Sequence, residues 1–277
     1  MKEQLWQHKE IKIRGVSLAG VYSCYQLPDF NFSIDVGQGF DWILNDHLFF
    51  ITHGHMDHAA GIPYIISQKN MRHHPKPQFY MPGSLIQPLR EIVSLWSQIE
   101  QHTYEYDFFA LEDFPSIYLN STLRIKPFRT FHRIDSYGFS LLKKTKTLLP
   151  EFQQKTGASL VELKKKGIQI EKEVEKILIS FSGDSQIEFL DQNPELYDSQ
   201  ILFMESTFMD NKKSLEDTRR WGHTHLFEIL ERLPRINSEK ILLKHLSSRY
   251  SLSRAQQILD EFVDPKNRTR FEVFPGR

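Results

Sequence analysis

Through the first third of the chain, apolar and polar positions alternate in short runs. IKIRGVSLAG (11–20), VYSCYQL (21–27) and FNFSIDVG (30–37) read as β-strands broken by Gly and Pro. HLFFITHGH (47–55) is an apolar run that stops abruptly in polar residues, and AAGIPYIISQKN (59–70) reads as a short helix. SLIQPLREIVSLWSQIEQ (84–101) places apolar residues at helical spacing and predicts a longer one. Strands return in SIYLNSTLRIKPF (116–128), RTFHRI (129–134) and SYGFSLL (136–142). From 143 to 167 the character changes, with helix-like pieces around PEFQQKT and SLVELKKK. Beyond it, VEKILISF (174–181), SQILFMES (199–206) and KILLKHLS (240–247) predict strands, and THLFEILERL (224–233) and SRAQQILDEFV (253–263) predict helices. Two strand-rich halves, each supplying helices, imply two sheets sandwiched between helices, a layered α/β architecture. No Pro/Gly/Ser linker and no internal repeat divides the chain, so one domain over 1–277 is expected.

Composition narrows the class. The 277 residues are 40% apolar and 25% charged, which is globular and excludes a disordered chain, a fibre or a disulfide-built miniprotein. The 35 Lys and Arg balance the 35 Asp and Glu, so any nucleic-acid contact must come from a local patch. Cys24 is the single cysteine, which leaves no internal disulfide. No apolar run approaches about 18 residues, so no membrane span is expected. MKEQLWQHKE is too polar for a signal peptide, and a soluble cytoplasmic protein is expected.

Histidine carries the chemistry. Of 12 histidines, three fall at His53, His55 and His58, with Asp57 among them, directly after the apolar run. Imidazole nitrogens and carboxylate oxygens bind zinc at about 2.0–2.2 Å, and four such groups on one loop leaving a strand can converge on an ion. Gly54 is expected to let this loop turn tightly. The hexad His-x-His-x-Asp-His resembles the metal motif of the metallo-β-lactamase superfamily, whose fold is an αββα sandwich. That resemblance directs attention to three later strand ends: His132 in FHRIDSYGF, Asp184 in FSGDS and His245 in KHLSSRY. It implies two zinc ions, the first on His53, His55 and His132, the second on Asp57, His58 and His245, with Asp184 bridging.

Three further segments narrow the resemblance: MESTF (204–208), WGHTH (221–225) and HLSSRY (245–250). Together with the opening GVSLAG and IDVG, they are similar to the tRNase Z (ribonuclease Z) family, in its short plant-type form, over nearly the whole chain. The family implies a zinc-dependent endonuclease that cuts precursor tRNA on the 3′ side of the discriminator base, and a homodimer. Carried over residue by residue, Asp57 accepts a proton from the attacking water, His223 protonates the leaving 3′ oxygen and Glu205 orients His223. His225 competes for the acid role; His223 is preferred because it follows Gly222. Ser247, Arg249 and Tyr250 either contact phosphate or buttress the metal loop.

Residues 143–166 hold seven Lys and two Glu. Between the His132 and Asp184 segments the family inserts a substrate arm, so 143–170 is expected to be a short basic arm, with Lys164, Lys165 and Lys166 on tRNA phosphates. The arm lacks the Gly-Pro of the common bacterial type, and the Pro-x-Lys-x-Arg-Asn signature is also missing; plant-type members share both departures. Two rivals remain: a related metallohydrolase of another phosphodiester or ester, and a non-catalytic RNA-binding scaffold on this fold, which would have to have kept every ligand without use.

Overall fold

The structure is a computed structural model that describes residues 3–274. The expected domain over 1–277 includes five terminal residues outside that range. Strands β1 (Gln4–His8), β2 (Ile11–Leu18), β3 (Tyr22–Leu27), β4 (Phe32–Val36), β5 (Leu48–Phe50), β6 (Gln78–Met81) and β7 (Asp107–Ala110) form one sheet in that order. Strands β8 (Ile117–Tyr118), β9 (Leu123–Arg129), β10 (Tyr137–Leu148), β11 (Glu171–Phe181), β12 (Ile201–Glu205), β13 (Lys240–Lys244) and β14 (Phe271–Val273) form the second, again in chain order. Each sheet starts antiparallel and turns parallel after its fourth strand, at β4–β5 and at β11–β12. This doubling of topology leaves no trace as a sequence repeat.

Period-two side-chain direction explains the layering. In β12, Ile201 and Phe203 enter the core between the sheets, while Leu202 and Met204 join the outer core of the second sheet. In β5, Phe50 faces inward and Phe49 outward. Both faces are buried, so these strands read as continuous apolar runs. Helices α1 (Met56–Ala59), α2 (Ile62–Met71) and α3 (Ile86–Glu100) belong to the first half. The second half supplies α4 (Gly157–Lys165), α5 (Glu188–Gln192), α6 (Leu215–Arg220), α7 (Leu226–Arg232), α8 (Leu252–Phe262) and α9 (Pro265–Arg268). Ile62, Ile65, Ile66 and Val93 cover the first sheet, and Leu226, Ile229, Ile258 and Leu259 the second. The layers are helix, sheet, sheet, helix, the metallo-β-lactamase αββα sandwich.

The structure corrects one local expectation and adds detail to another. RTFHRI (129–134) is strand only at Arg129; Thr130 to Ser136 leave the sheet as a loop closed by Thr130 N–H to the Ser136 carbonyl (3.2 Å) and Phe131 N–H to Ser185 Oγ (2.9 Å). A strand there would hold His132 in the sheet, away from the other histidines. The 143–170 segment is less separate than its composition suggests. β10 and β11 run out through it as one ladder, pairing Lys144 with Glu175 and Lys146 with Glu173, with α4 at the far end.

Phe203 packs edge-on against Tyr25 and Phe181 (5.1 Å between centroids in each case) and at a tilt against Phe274 (5.4 Å), joining the two sheets. Phe203→Ala should therefore cost about 3–5 kcal/mol of unfolding free energy in urea denaturation. A cost under about 1 kcal/mol would mean that this core does not hold the sheets together.

Candidate metal centre and acid–base pair

The parallel halves of both sheets end at the same edge. Thr52 and His53 follow β5, Asp184 follows β11, Glu205 closes β12 and His245 follows β13. Seven of the residues singled out in the sequence meet there. His55 Nδ1 lies 3.1 Å from His53 Nε2 and 3.2 Å from His132 Nε2. Asp57 Oδ2 lies 3.5 Å from His58 Nε2 and 3.3 Å from His245 Nε2. Asp184 Oδ2 stands by both groups, 4.0 Å from His53 Nε2, 3.3 Å from His58 Nε2 and 3.0 Å from His245 Nε2.

An outer ring of partners fixes which nitrogen faces inward. The Gly222 carbonyl can only accept, so His132 Nδ1–H donates to it (2.7 Å) and Nε2 keeps its lone pair. His58 Nδ1 is bound by Asp35 Oδ2 at 2.7 Å. Thr52 Oγ1 donates to Asp35 and so accepts from His53 Nδ1 (2.9 Å). Thr207 Oγ1 donates to Glu205 (2.6 Å) and accepts from His245 Nδ1 (3.1 Å). The Gly20 N–H holds Asp57 Oδ2 at 3.0 Å. Asp35 and His245 both adopt left-handed backbone, at φ 54° and 57°, a conformation costing a non-glycine residue about 1–3 kcal/mol and concentrated at functional sites. Gly222, at φ 78°, has no room for a side chain, because a Cβ would stand 2.8 Å from His132 Nδ1. Gly54 does not use left-handed backbone; its hydrogen leaves space that a Cβ would contest with Leu85 at 2.5 Å.

These residues fit divalent cations. Nε2 of His53 and Nε2 of His132 face His55 Nδ1 as lone pairs, their own ring protons being held by Thr52 and Gly222. The 3.1–3.2 Å spacing is near the ~3.3 Å expected of two nitrogens sharing a tetrahedral ion at zinc distances. His58 Nε2 is buried without a hydrogen-bond partner, as a ligand atom would be. Burial, reinforced by the neighbouring His58, holds His53 well below the ordinary histidine range, and burial lowers His55 and His132 too, which keeps these rings neutral and able to ligate. Burial opposes charge on Asp184, but His245, His58 and Lys244 outweigh it and hold the carboxyl well below the usual range. Burial likewise opposes a charge on His58, but Asp184 and Asp35 outweigh it and raise its pKa. The pocket thus draws positive charge, which a metal ion would supply in exchange for protons.

Beside the cluster, His223 Nδ1 lies 2.9 Å from Glu205 Oε1, and Glu205 is buried and further held by Ser185 N–H (2.8 Å) and Thr207 N–H (3.2 Å). Burial opposes a charge on His223, but Glu205 outweighs it and pushes the imidazole up to about 9. Cations in the cluster would work against that rise. His225 has a different job: it caps α7, accepting from Phe227 N–H (3.1 Å) while Glu228 binds its backbone (3.0 Å).

The remaining sequence candidates lie apart. Lys164 pairs with Glu171 at 3.0 Å; Lys165 and Lys166 are exposed at the end of α4. Arg249 is exposed along a groove with Ser17, Leu18 and Leu246. Tyr250 buttresses, donating to Asp210 Oδ1 at 3.0 Å and accepting from Met209 N–H at 3.2 Å. Sequence reasoning missed Asp35, Thr52, Thr207 and Lys244 as partners of the inner ring. Lys244 is buried, its Nζ bound to the Gly183 carbonyl (2.8 Å) and 3.5 Å from Asp184 Oδ1. The one visible signal was a charged residue inside an apolar strand, at Asp35 and at Lys244.

A family profile described as "Anti-Pycsar protein Apyc1" matches residues 35–268, most of the chain. The chain belongs to the Anti-Pycsar protein Apyc1 family. Among curated relatives of this family member, tRNase Z TRZ1 of Arabidopsis thaliana is 25% identical over 277 residues, covering 99% of each chain, so the tRNase Z resemblance of the sequence is borne out. Among solved structures, the metallo-β-lactamase fold protein YhfI from Bacillus subtilis superposes with a TM-score of 0.62 at 15% identity, over 96% of both chains. Human tRNase Z, short form, superposes with a TM-score of 0.59 at 17% identity, over 86% of this chain and 93% of that one. These two likenesses show the fold.

The two histidines of WGHTH separate in a folding experiment. His225→Ala should lower unfolding free energy by about 1–2 kcal/mol, the value of a helix cap. His223→Ala should also cost stability, most below about pH 6.5 where the imidazolium paired with buried Glu205 is fully charged, and progressively less as pH rises through about 9. The same pH dependence of the loss in both variants would contradict the division of labour.

Proposed function

We propose that the protein is a zinc-dependent endoribonuclease that removes 3′ trailers from precursor tRNA, acting in the cytoplasm. The observation that carries this reading is the buried Glu205 carboxylate aiming His223 beside the His/Asp cluster, in a chain similar to tRNase Z over its full length. His53, His55 and His132 would hold one zinc, Asp57, His58 and His245 the other, with Asp184 between them. Bound divalent ions supply Lewis acidity and a water ionised near neutral pH. The chain's own groups do the rest. Asp57, fixed through Oδ2 by Gly20, accepts the proton of the attacking water. Glu205 keeps the His223 proton on Nδ1, so that a second proton on Nε2 can pass to the leaving 3′ oxygen. A purified sample incubated with a 3′-extended tRNA should cut once, after the discriminator base; no cut, or scattered cuts, would refute the substrate. His223→Ala should lower the rate about 10²–10⁴-fold, and His225→Ala much less. The reverse order of effects would transfer the acid role to His225.

The arm supports a large substrate. Nine Lys against five Glu stand between 143 and 176, so the basic excess survives the acidic return strand. Lys165 and Lys166 are among its exposed cations; Lys164, tied to Glu171, is the weaker candidate. A second reading, hydrolysis of another phosphodiester or ester, is favoured by the family description, which names no tRNA. Remote contacts assist only substrates long enough to make them. Replacing 143–166 by a Gly-Ser connector should raise KM for precursor tRNA at least 10-fold and leave bis-p-nitrophenyl phosphate turnover within about twofold. Intact tRNA cleavage without the arm would favour the second reading.

We also infer a homodimer. On α3, Ile92, Leu95, Trp96 and Ile99 form an exposed stripe at helical spacing, and Leu95 and Ile99 leave 59% and 69% of their surface in water. A second copy would cover it. Leu95→Glu with Ile99→Glu should halve the mass seen by sedimentation from about twice 32.8 kDa. A monomeric wild-type protein would refute the dimer.

A further inference from the structure

An open cleft of about 830 Å³ adjoins the cluster between the His132 loop and the end of α6. Four arginines line it, Arg129, Arg133, Arg219 and Arg220, against one acid, Asp135. In a chain of zero net charge this is a marked local excess. The four are not equivalent. Arg129 is engaged by Glu112 (3.1 Å) and Asp135 (3.7 Å). Arg219 is engaged by Glu228 (2.7 Å) and Glu188 (2.8 Å). Arg133 and Arg220 are exposed and have no acidic partner among the described residues. The guanidinium of Arg133 rests 5.6 Å from the ring centre of Trp221, which is itself 53% exposed. A stacked guanidinium keeps its N–H edge free and loses less freedom on binding an anion.

Both free arginines are tied to the cluster through one hydrogen bond. Arg133 follows His132, Arg220 stands two residues before Gly222, and His132 Nδ1 binds the Gly222 carbonyl at 2.7 Å. That bond fixes the two loops against each other, so the cations flank a path that reaches the reacting edge. From this geometry we propose that Arg133 and Arg220 form a phosphate subsite for a single-stranded nucleic-acid segment, gripping a backbone phosphate next to the scissile one. The proposal rests on the nuclease reading and adds residues that neither the hexad nor the lysine arm contains. The cleft gives affinity close to the reacting bond, where the arm gives it far away. Guanidinium groups bind phosphate by paired N–H bonds, and such contacts position a strand without reading its bases.

The test is fluorescence anisotropy of a labelled ten-nucleotide single-stranded RNA titrated with the full-length protein, its length checked on a gel afterwards. Arg133→Ala and Arg220→Ala should each raise Kd about 3–10-fold. Each should also flatten the plot of log Kd against log salt by ~0.7, the single-strand value for one lost phosphate contact. Arg→Lys at either position should keep the slope. Unchanged Kd and slope, weakened binding with the wild-type slope, or no binding by the wild-type protein would each overturn the proposal. The measurement needs no cleavage. A wild-type protein that leaves 3′-extended tRNA uncut but shows these salt slopes would lose the tRNA reading and retain the subsite.

Discussion

Carboxylates and imidazoles buried between apolar sheets are unstable unless every polar atom finds a partner, and that requirement organises this molecule. The Asp35 carboxylate receives the Thr52 N–H (2.8 Å), the Thr52 hydroxyl (3.0 Å) and His58 Nδ1 (2.7 Å), closing off the first sheet's side of the site. Glu205 and Thr207 do the same for the second sheet through His245 and His223. With these outer atoms satisfied, His58 Nε2 is left at the centre without a hydrogen-bond partner. The outer ring thus turns the inner ligand atoms toward one point, which a cation would fit.

The sheets make this convergence possible. β4–β5 and β11–β13 are parallel, so consecutive strands deliver their C-terminal ends to the same edge. Each supplies one polar residue as it leaves the apolar core. The aromatic contacts of Tyr25, Phe181 and Phe203 lie directly beneath, and Lys244 spans the boundary, its ammonium 4.6 Å from the Phe181 ring and 2.8 Å from the Gly183 carbonyl. Core packing and site geometry are therefore one problem: displacing a strand end displaces a ligand atom.

The hexad was legible in the sequence because its four chemical groups are contiguous and their spacing survives without a fold. His132, Asp184 and His245 needed the resemblance, since nothing local distinguishes a ligand from a polar residue at a strand end. Asp35 stayed hidden within SIDVG because its role depends on a left-handed backbone that the sequence does not announce at a non-glycine position. RTFHRI imitates a strand through alternation alone, while its real constraint is the His132 bond to Gly222, 90 residues away. The arm's charge was read from one strand of a ladder, and its acidic partners on β11 lay beyond the segment considered. His223 and His225 look alike in WGHTH; in the fold His225 caps α7, while His223 meets Glu205.

Two metal ions bridged by Asp184 are the central claim, and metal content tests it most directly. Elemental analysis of protein purified without chelator should give about two divalent ions per chain for the wild type, and about one or fewer for Asp184→Ala with the fold intact by circular dichroism. Wild-type protein that is fully active with one ion or none, or an Asp184→Ala variant that still retains two, would contradict the account.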